Sequence, residues 1–229
     1  MQVKCRNIAF RYPGAEKALF KELNLEFIRP GLHALFGTSG VGKSSLARII
    51  SGAVDAPAGV VADDAQPLLY AHNLERLPDW SAIGDQLSRV TPPHNRDKIE
   101  RLLDLCGLNG HTGQRFSRLS LGQQNRINLV RYLVQDFQVL IFDECLANVD
   151  ELRRRNILLH IKAMYPEKMF IYISHHVIEV ATYCRDVWVL RDSSKLPQAV
   201  LTQGLDLFPD QQPASTRLHQ VMLEIMNAA

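Results

Sequence analysis

The stretch GTSGVGKSS, residues 37–45, constrains the fold of this chain more than any other segment. It follows the apolar run LHALF at 32–36 and leads into KSSLARIIS, whose apolar residues recur at helical spacing. Its three glycines permit tight turns of the backbone, and the stretch matches the pattern G-x-x-x-x-G-K-[ST]. The sequence therefore predicts a buried strand, a glycine-rich loop and a helix in direct succession.

A loop of this kind binds the phosphates of a nucleoside triphosphate. Successive backbone amides and the N-terminus of the helix point at the anion. The Lys43 amine reaches the β- and γ-phosphates, and the Ser44 hydroxyl binds Mg²⁺. We therefore expect a nucleotide and Mg²⁺ to bind here. The residues predicted to form the site are Gly37, Thr38, Ser39, Gly40, Val41, Gly42, Lys43, Ser44 and Ser45.

A second apolar run, VLIFDE at 139–144, ends in two carboxylates. A buried strand with this ending delivers Asp143 to the carboxyl edge of a sheet, where open α/β sheets bind ligands. Alone, the run is equally typical of a strand that ends before a solvated turn. Behind the phosphate loop it predicts that Asp143 holds the Mg²⁺ shell, usually through water, and that Glu144 polarises an attacking water.

The remaining apolar runs indicate an α/β fold with a mostly parallel sheet core. Runs without alternation are typical of strands covered on both faces, and helical segments separate them. The predicted strands lie at 32–36, 138–142, 169–173 and 187–190, and the main predicted helices at 42–51, 120–135 and 150–164. Residues 21–28 alternate polar with apolar, which predicts an N-terminal antiparallel β part with a turn at Tyr12–Gly14.

The pattern predicts a single domain over residues 1–229 with three parts. Residues 1–72 and 134–200 form the catalytic core. Residues 73–133 have mostly helical patterns, which predicts a helical subdomain inserted in that core. The tail, 201–229, begins as a proline-bearing linker and ends in an amphipathic helix. One face of that helix carries Leu218, Val221, Met222 and Ile225. The basic run ELRRRN at 151–156 is expected to be a solvated helix face.

Charge and cysteine content exclude several classes of function. The chain has 26 basic and 24 acidic residues, and a net charge of +2 is too small to indicate nucleic acid as the main partner. Four scattered cysteines form no C-x-x-C pair, so neither a zinc site nor a disulfide framework is indicated, and they suit a reducing cytosol. No run approaches the roughly 20 apolar residues of a membrane span, and the N-terminus lacks the apolar core of a signal peptide. We expect a soluble protein that can dock on a membrane protein.

The segment RLSLGQQNR at 118–126 leaves two interpretations open. Ser120 followed three positions later by Gln123 has the form of a capping box, in which each side chain satisfies an amide of the helix start. The alternative is a helix start that faces an anion.

Taken in order, the phosphate loop, LSLGQQ, LIFDE and SHH resemble the motifs of the ATP-binding subunit of an ABC transporter, from Val3 to about Leu190. The resemblance implies ATP and Mg²⁺ as cofactors and ATP hydrolysis as the activity. It implies a head-to-tail dimer with a second copy or a homologous ATPase subunit, bound to a transmembrane permease, with a substrate-binding protein as a further partner. The expected location is peripheral, at the cytoplasmic face of the inner or cell membrane.

The resemblance also assigns roles to individual residues. Tyr12 stands where the family stacks an aromatic on adenine, although a turn tyrosine beside Pro13 is the alternative. Ser120 and Gly122, with Gln123, would contact the γ-phosphate of ATP bound to the other subunit. Asp150 matches the acid of the D-loop, ANVD, and His175 matches the switch histidine at the γ-phosphate. The implied catalytic residues are Lys43, Glu144 and His175.

Some positions depart from the family pattern. His72 takes the place of the Q-loop glutamine that senses Mg²⁺, with Asn73 as the other candidate, so His72 joins Ser44 and Asp143 in the predicted metal site. The segment LSLGQ at 119–123 resembles the family's signature motif, and Leu121 replaces the first glycine of that motif. Cys145 and His176 replace a common proline and aspartate that do not touch phosphate in the family's scheme. The hydrolytic residues are intact, which favours an active ATPase with altered coupling or regulation.

The predicted function is therefore the motor subunit of a transporter. The short linker before His72 and the letters LPDW resemble the importer ATPases for nitrate, sulfonate and taurine. An exporter or a lipid-transport ATPase, a soluble ABC ATPase that acts on DNA or the ribosome, and a non-hydrolysing nucleotide-sensing regulator are the alternatives. The transported solute is not encoded here, because selectivity resides in the membrane and binding subunits.

Overall fold

The computed structural model describes residues 2–55, 59–61, 65–73 and 75–229. Within these ranges a six-stranded sheet, a three-stranded sheet and seven α-helices are present. The strands are β1 Val3–Phe10, β2 Phe20–Phe27, β3 Gly31–Phe36, β4 Val60–Val61, β5 Leu68–His72, β6 Val139–Asp143, β7 Met169–Ile173, β8 Asp186–Leu190 and β9 Ala199–Gln203. The helices are α1 Lys43–Ile50, α2 Ile83–Val90, α3 Asp97–Leu105, α4 Leu121–Leu133, α5 Glu151–Met164, α6 Val177–Tyr183 and α7 Ser215–Ala228.

The central sheet has the strand order β5-β6-β7-β3-β8-β9. All neighbouring pairs are parallel except β8 with β9. The register pairs His72 with Asp143 and Asp143 with Ile173, so the carboxyl ends of β5, β6 and β7 lie at one edge. The predicted mostly parallel α/β fold is confirmed.

Alternate residues of each central strand enter two different cores. In β6, Leu140 and Phe142 pack into the core shared with the helical insertion and α5 to α7. Val139 and Ile141 pack into the core shared with α1 and the small sheet. Burial on both faces explains why these strands read as continuous apolar runs.

The N-terminal sheet pairs β1 antiparallel with β2 and with β4. Leu23, Leu25 and Phe27 are buried, whereas the residues between them are exposed. The predicted alternation is confirmed, and Tyr12 accepts a backbone hydrogen bond from Ala15 in the expected turn.

Three strands, β5, β9 and the two-residue β4, were not apparent in the sequence pattern. β5 follows Pro67 and contains Tyr70 and His72, so its residues do not form a continuous apolar run. β9 is an edge strand with half-exposed residues, and it places 201–203 in the sheet although the pattern puts them in the tail. The division into core, helical subdomain and tail remains a prediction.

The C-terminal helix α7 covers the sheet beside α6. Val221 and Ile225 are buried, and Leu218 and Met222 pack against the same core, so the predicted apolar face is the contact face. Among the described residues, no helix combines the length and the apolar character that crossing a membrane requires.

Lys162 joins α5 to the chain segment that follows β9. Its buried Nζ donates to the carbonyl oxygens of Tyr183 and Leu207 and to Asp206 Oδ1, at 2.7–2.9 Å. Arg185 donates to the other oxygen of Asp206 at 2.8 Å. Burial lowers the pKa of Lys162, and the hydrogen bond to Asp206 acts in the opposite direction.

We expect Lys162→Met to destabilise the fold by about 3 kcal/mol, because it breaks a buried ion pair and leaves Asp206 Oδ1 and two carbonyl oxygens without their donor. Urea unfolding followed by circular dichroism measures this free energy. The matched control is Lys17→Met, which removes an exposed lysine. Equal stability of the two variants would show that this junction contributes nothing.

Candidate nucleotide site

The phosphate loop is a tight turn that only glycine can form at two positions. Gly37 has φ +148°, and a Cβ there would lie 2.5 Å from the carbonyl oxygen of Leu190. Gly42 has φ +106°, and a Cβ there would lie 2.8 Å from the ring of Phe20. The loop therefore packs against Leu190 of β8 and Phe20 of β2, which leaves no room for a side chain at either glycine.

Lys43 lies inside this loop. Its Nζ donates to the carbonyl oxygens of Gly37 and Thr38, both at 2.9 Å, and the residue is buried. Burial lowers the pKa of Lys43, while the negative charges of Glu144 and Asp143 raise it. The loop thus holds a cation at the start of α1, which is the arrangement that an incoming phosphate requires.

Asp143 at the end of β6 is held by a hydrogen bond from Tyr70 on β5. The Tyr70 hydroxyl donates to Asp143 Oδ2 at 3.0 Å, and Asp143 is buried. Burial, followed by the charge of Asp143, raises the pKa of Tyr70. No sequence motif pointed to Tyr70; the signal available was a polar aromatic residue in the segment that precedes the predicted Q-loop.

The donor set suits Mg²⁺ with phosphate. Asp143 offers a carboxylate and Ser44, in the first turn of α1, offers a hydroxyl, and hard cations prefer such oxygens. Within the described ranges, no three histidine, cysteine, aspartate or glutamate side chains form a metal cluster. An ion held by Asp143 and Ser44 would complete its shell with phosphate and water oxygens.

His72 and Asn73 point to different neighbours. His72 pairs in register with Asp143, its ring lies 5.5 Å from that of Tyr70, and its buried Nδ1 contacts no hydrogen-bonding partner among the described residues. Asn73 donates its N–H to the carbonyl of Asp143 at 3.0 Å, and its Oδ1 accepts from Asn125 Nδ2 at 2.8 Å. His72 is thus beside Asp143, and Asn73 contacts α4.

Glu144 and His175 meet above the edge of the sheet. Glu144 Oε1 lies 3.4 Å from His175 Nδ1, across the ends of the adjacent strands β6 and β7. Glu144 has φ +52°, an uncommon conformation that turns its backbone out of the strand. The neighbouring His176 ring lies 4.2 Å from His175, and burial lowers the pKa of His176.

The buried carboxylate of Glu179 joins β7 to α5 next to Glu144 and His175. Glu179 on α6 accepts from the Tyr172 hydroxyl at 2.9 Å and forms an ion pair with Arg154. Arg154 also donates to the carbonyl of Val149 at 3.3 Å. The predicted solvated face at 151–156 is therefore wrong for Arg154, because the helical period turns this arginine towards Glu179.

Tyr12 borders the phosphate loop. Its hydroxyl donates to Ser45 Oγ at 2.9 Å, and its ring lies edge-on to Phe10 and is 39% exposed. A groove of about 1040 Å³ opens beside it. The groove is lined by Ala9, Phe10, Arg11, Tyr12, Pro13, Glu16, Ala18, Phe20, Lys21, Val54 and Asp55. An exposed aromatic face next to the phosphate loop can stack on a base.

The start of α4 forms the predicted capping box. Ser120 Oγ accepts from Gln123 N at 3.3 Å, and Gln123 Oε1 accepts from Ser120 N at 2.9 Å. Leu121 is 55% exposed. A Cβ on Gly122 would lie 2.6 Å from the carbonyl oxygen of Asn148, so this glycine lets α4 approach the 147–150 loop.

Asp150 caps α5 by accepting from Arg153 N at 2.9 Å. No hydrogen bond or ion pair in the described part of the chain joins Ser120, Gly122, Gln123 or Asp150 to the phosphate loop. The structure therefore brings together Lys43, Asp143, Glu144 and His175 and leaves the signature residues apart from them.

Comparisons with known proteins identify the same region. A family model described as ABC transporter matches residues 20–147. The spermidine/putrescine import ATP-binding protein PotA of Clostridium novyi (strain NT) is 27% identical over 214 residues, which cover 86% of this chain and 61% of that protein. The molybdenum import ATP-binding protein ModC of Mesorhizobium japonicum is 30% identical over 203 residues, which cover 78% of this chain and 55% of that protein. The chain thus spans between half and two thirds of the length of these relatives.

Two solved structures share the fold. A bacterial Atm1-family ABC exporter with ATP bound has a TM-score of 0.76 and 22% identity, covering 99% of this chain and 41% of that one. An inward-facing putative metal-chelate type ABC transporter has a TM-score of 0.70 and 18% identity, covering 88% of this chain and 82% of that one.

Gly122→Ala is expected to lower the melting temperature although alanine is the better helix former. Overpacking costs about 1–3 kcal/mol, which exceeds the helix-propensity gain of about 1 kcal/mol, because the contacted atom is backbone. Gly113→Ala is the control, since a Cβ there meets nothing within 4 Å. A melting temperature for Gly122→Ala at or above that of the control would contradict the close approach.

Proposed function

The chain belongs to the ABC transporter family, and from that premise we propose that it is an ATPase subunit that powers solute import through a partner membrane permease. The observation that carries the proposal is the convergence of four groups at one sheet edge. Lys43 fills the phosphate loop, Tyr70 holds Asp143, and Glu144 lies 3.4 Å from His175. Charge neutralisation and a positioned base are what phosphoryl transfer to water requires.

Each residue of the site has its own role in ATP binding or hydrolysis. The loop amides and Lys43 bind the β- and γ-phosphates of ATP, and the ring of Tyr12 stacks on the base. Ser44 and Asp143 hold Mg²⁺, which when bound neutralises charge on the phosphate oxygens. Glu144 accepts a proton from the attacking water, and His175 orients Glu144 and meets the γ-phosphate.

The site is completed by a second copy of this chain or a homologous subunit. The start of α4 carries a positive helix-dipole end, which favours an anion. Ser120 and Gly122 form no hydrogen bond with their own phosphate loop, so the anion they would meet is the γ-phosphate of ATP on the other subunit of a head-to-tail dimer. Gln123 and Asp150 would lie beside them at the same nucleotide. Leu121, which is exposed, would lie in that interface.

The permease docks on the loop at 75–82 and on the helical subdomain. Trp80 in this loop is 75% exposed. The loop is held at two points, because Glu75 forms an ion pair with Arg131 on α4 and Asp79 accepts from the Ser117 hydroxyl at 2.6 Å. Force applied at Trp80 would therefore reach the signature helix. This role places the protein at the cytoplasmic face of the membrane, with a substrate-binding protein as a further partner and no nucleic acid.

Import is supported by the relatives, whose names describe uptake of polyamines and molybdenum. Kinship with the nitrate, sulfonate and taurine importers remains a proposal that these names do not support. A nucleotide-sensing regulator is the second candidate, because His72 and Leu121 depart from the family at the positions that couple nucleotide to partner.

Glu144→Gln is expected to bind ATP, to hydrolyse it at least about 100-fold more slowly because the general base is lost, and to accumulate as an ATP-bound dimer. Phosphate release and light scattering after gel filtration measure the two effects. Glu167→Gln removes an exposed glutamate as a control. Hydrolysis at the parent rate would remove Glu144 from the mechanism, and a parent chain without ATPase activity would favour the regulator.

His72→Gln is expected to change the stimulation of ATPase activity by the permease, since His72 lies beside Asp143. Asn73→Gln is the matched comparison, because Asn73 contacts α4 instead. Stimulated rates in reconstituted vesicles decide between them: a response in Asn73→Gln alone would assign the Q-loop role to Asn73.

A further inference from the structure

A chain of hydrogen bonds connects the segment before α4 to the capping box. His111 Nδ1 lies 3.0 Å from the carbonyl oxygen of Asn109. His111 Nε2 lies 2.9 Å from Gln123 Nε2. Gln123 Oε1 in turn accepts from Ser120 N at 2.9 Å. His111 therefore contacts the side chain on which the start of the signature helix depends.

The protons in this chain can be assigned from the partners alone. Gln123 Oε1 is occupied by the Ser120 N–H, so the group that Gln123 presents to His111 is its NH₂, a donor. His111 Nε2 must then accept. Nδ1 faces a carbonyl oxygen, which only accepts, so Nδ1 carries the hydrogen.

Only the neutral Nδ1–H form of His111 satisfies every group. A hydrogen on Nε2 would bring two donors face to face. Rotation of the Gln123 amide would relieve that contact, but it would also turn the NH₂ towards the Ser120 N–H and undo one half of the capping box. The imidazole therefore selects one orientation of Gln123.

We propose that His111 is a positioning residue for the signature segment. It acts through Gln123, which holds the backbone at Ser120 and so sets where the Ser120 hydroxyl and the first amides of α4 point. This inference rests on the proposed function, because the Ser120 hydroxyl and the α4 amides are proposed to meet the γ-phosphate of ATP on the other subunit. His111 itself touches neither nucleotide nor metal.

The tautomer is tested first, on the parent chain at neutral pH. Nuclear magnetic resonance of protein labelled with nitrogen isotope in histidine distinguishes a ring nitrogen that bears hydrogen from one that does not. The expected spectrum of His111, assigned by its loss in His111→Gln, shows hydrogen on Nδ1 and a bare Nε2. Hydrogen on Nε2 would overturn the proposal whatever the protein does with ATP.

The positioning role is tested by dimer formation in the Glu144→Gln background. His111→Leu keeps an apolar body of similar size and removes the acceptor. We expect its ATP-dependent dimer to be about fivefold to tenfold weaker, the effect of losing one helix cap, while the ATP affinity of the monomer is unchanged. His111→Gln offers a carbonyl oxygen near the former Nε2 and should restore dimer formation. His219→Leu, at an exposed position on α7, is the control.

The outcomes separate the two hypotheses. Equal dimer affinity in His111→Leu and the control, or failure of His111→Gln to exceed His111→Leu, overturns the positioning role. If Glu144→Gln alone forms no ATP-dependent dimer, the proposed function fails, and the tautomer measurement still decides whether His111 orients Gln123. Thermal melts that coincide for the variants show that a difference in dimer affinity is not a loss of folding.

Discussion

The parallel register of β5, β6, β7 and β3 is the constraint on which the site depends. Parallel strands end at the same edge, so the residue that follows each strand is brought beside residues that are far away along the chain. This register places His72, Asp143 and the turn before His175 side by side. Burial on both faces of the sheet fixes the register, because a slip by one residue would exchange the two cores.

The second half of the site obeys a different constraint. The start of α4 approaches the 147–150 loop so closely that a side chain at Gly122 would strike the backbone of Asn148. In the same segment, the side chain of Leu121 is exposed. Gly122 thus has a packing role within its own chain that is independent of phosphate. A substitution there would disturb the loop carrying Asp150 as well as the predicted interface, and measurements on isolated monomers would report only the first effect.

The sequence predicted those parts of the fold and site that depend on local pattern. The strand, loop and helix around Lys43, the buried strand that ends at Asp143, and the capping box at Ser120 each follow from a few adjacent letters. Tyr70, Arg154 and Glu179 were missed because their roles come from partners far along the chain: Tyr70 is 73 residues from Asp143, and Arg154 is 25 residues from Glu179. β9 was missed because an edge strand carries no continuous apolar run. The contact between His111 and Gln123 was missed as well, because His111 lies in a turn, where the sequence has no periodic pattern.

The hydroxyl of Tyr70 has a consequence for how Asp143 can bind a cation. One carboxylate oxygen, Oδ2, is already engaged by this hydroxyl. The described residues provide no hydrogen bond to the other oxygen. In the proposed site, Oδ1 would therefore be the more available oxygen for a cation or its bound water, because one lone pair of Oδ2 is already occupied. Small octahedral ions accept single oxygens at fixed angles, whereas larger ions such as Ca²⁺ gain affinity from bidentate carboxylates. In the proposed site, Tyr70, two residues before the end of β5, would thus favour a small cation over a larger one.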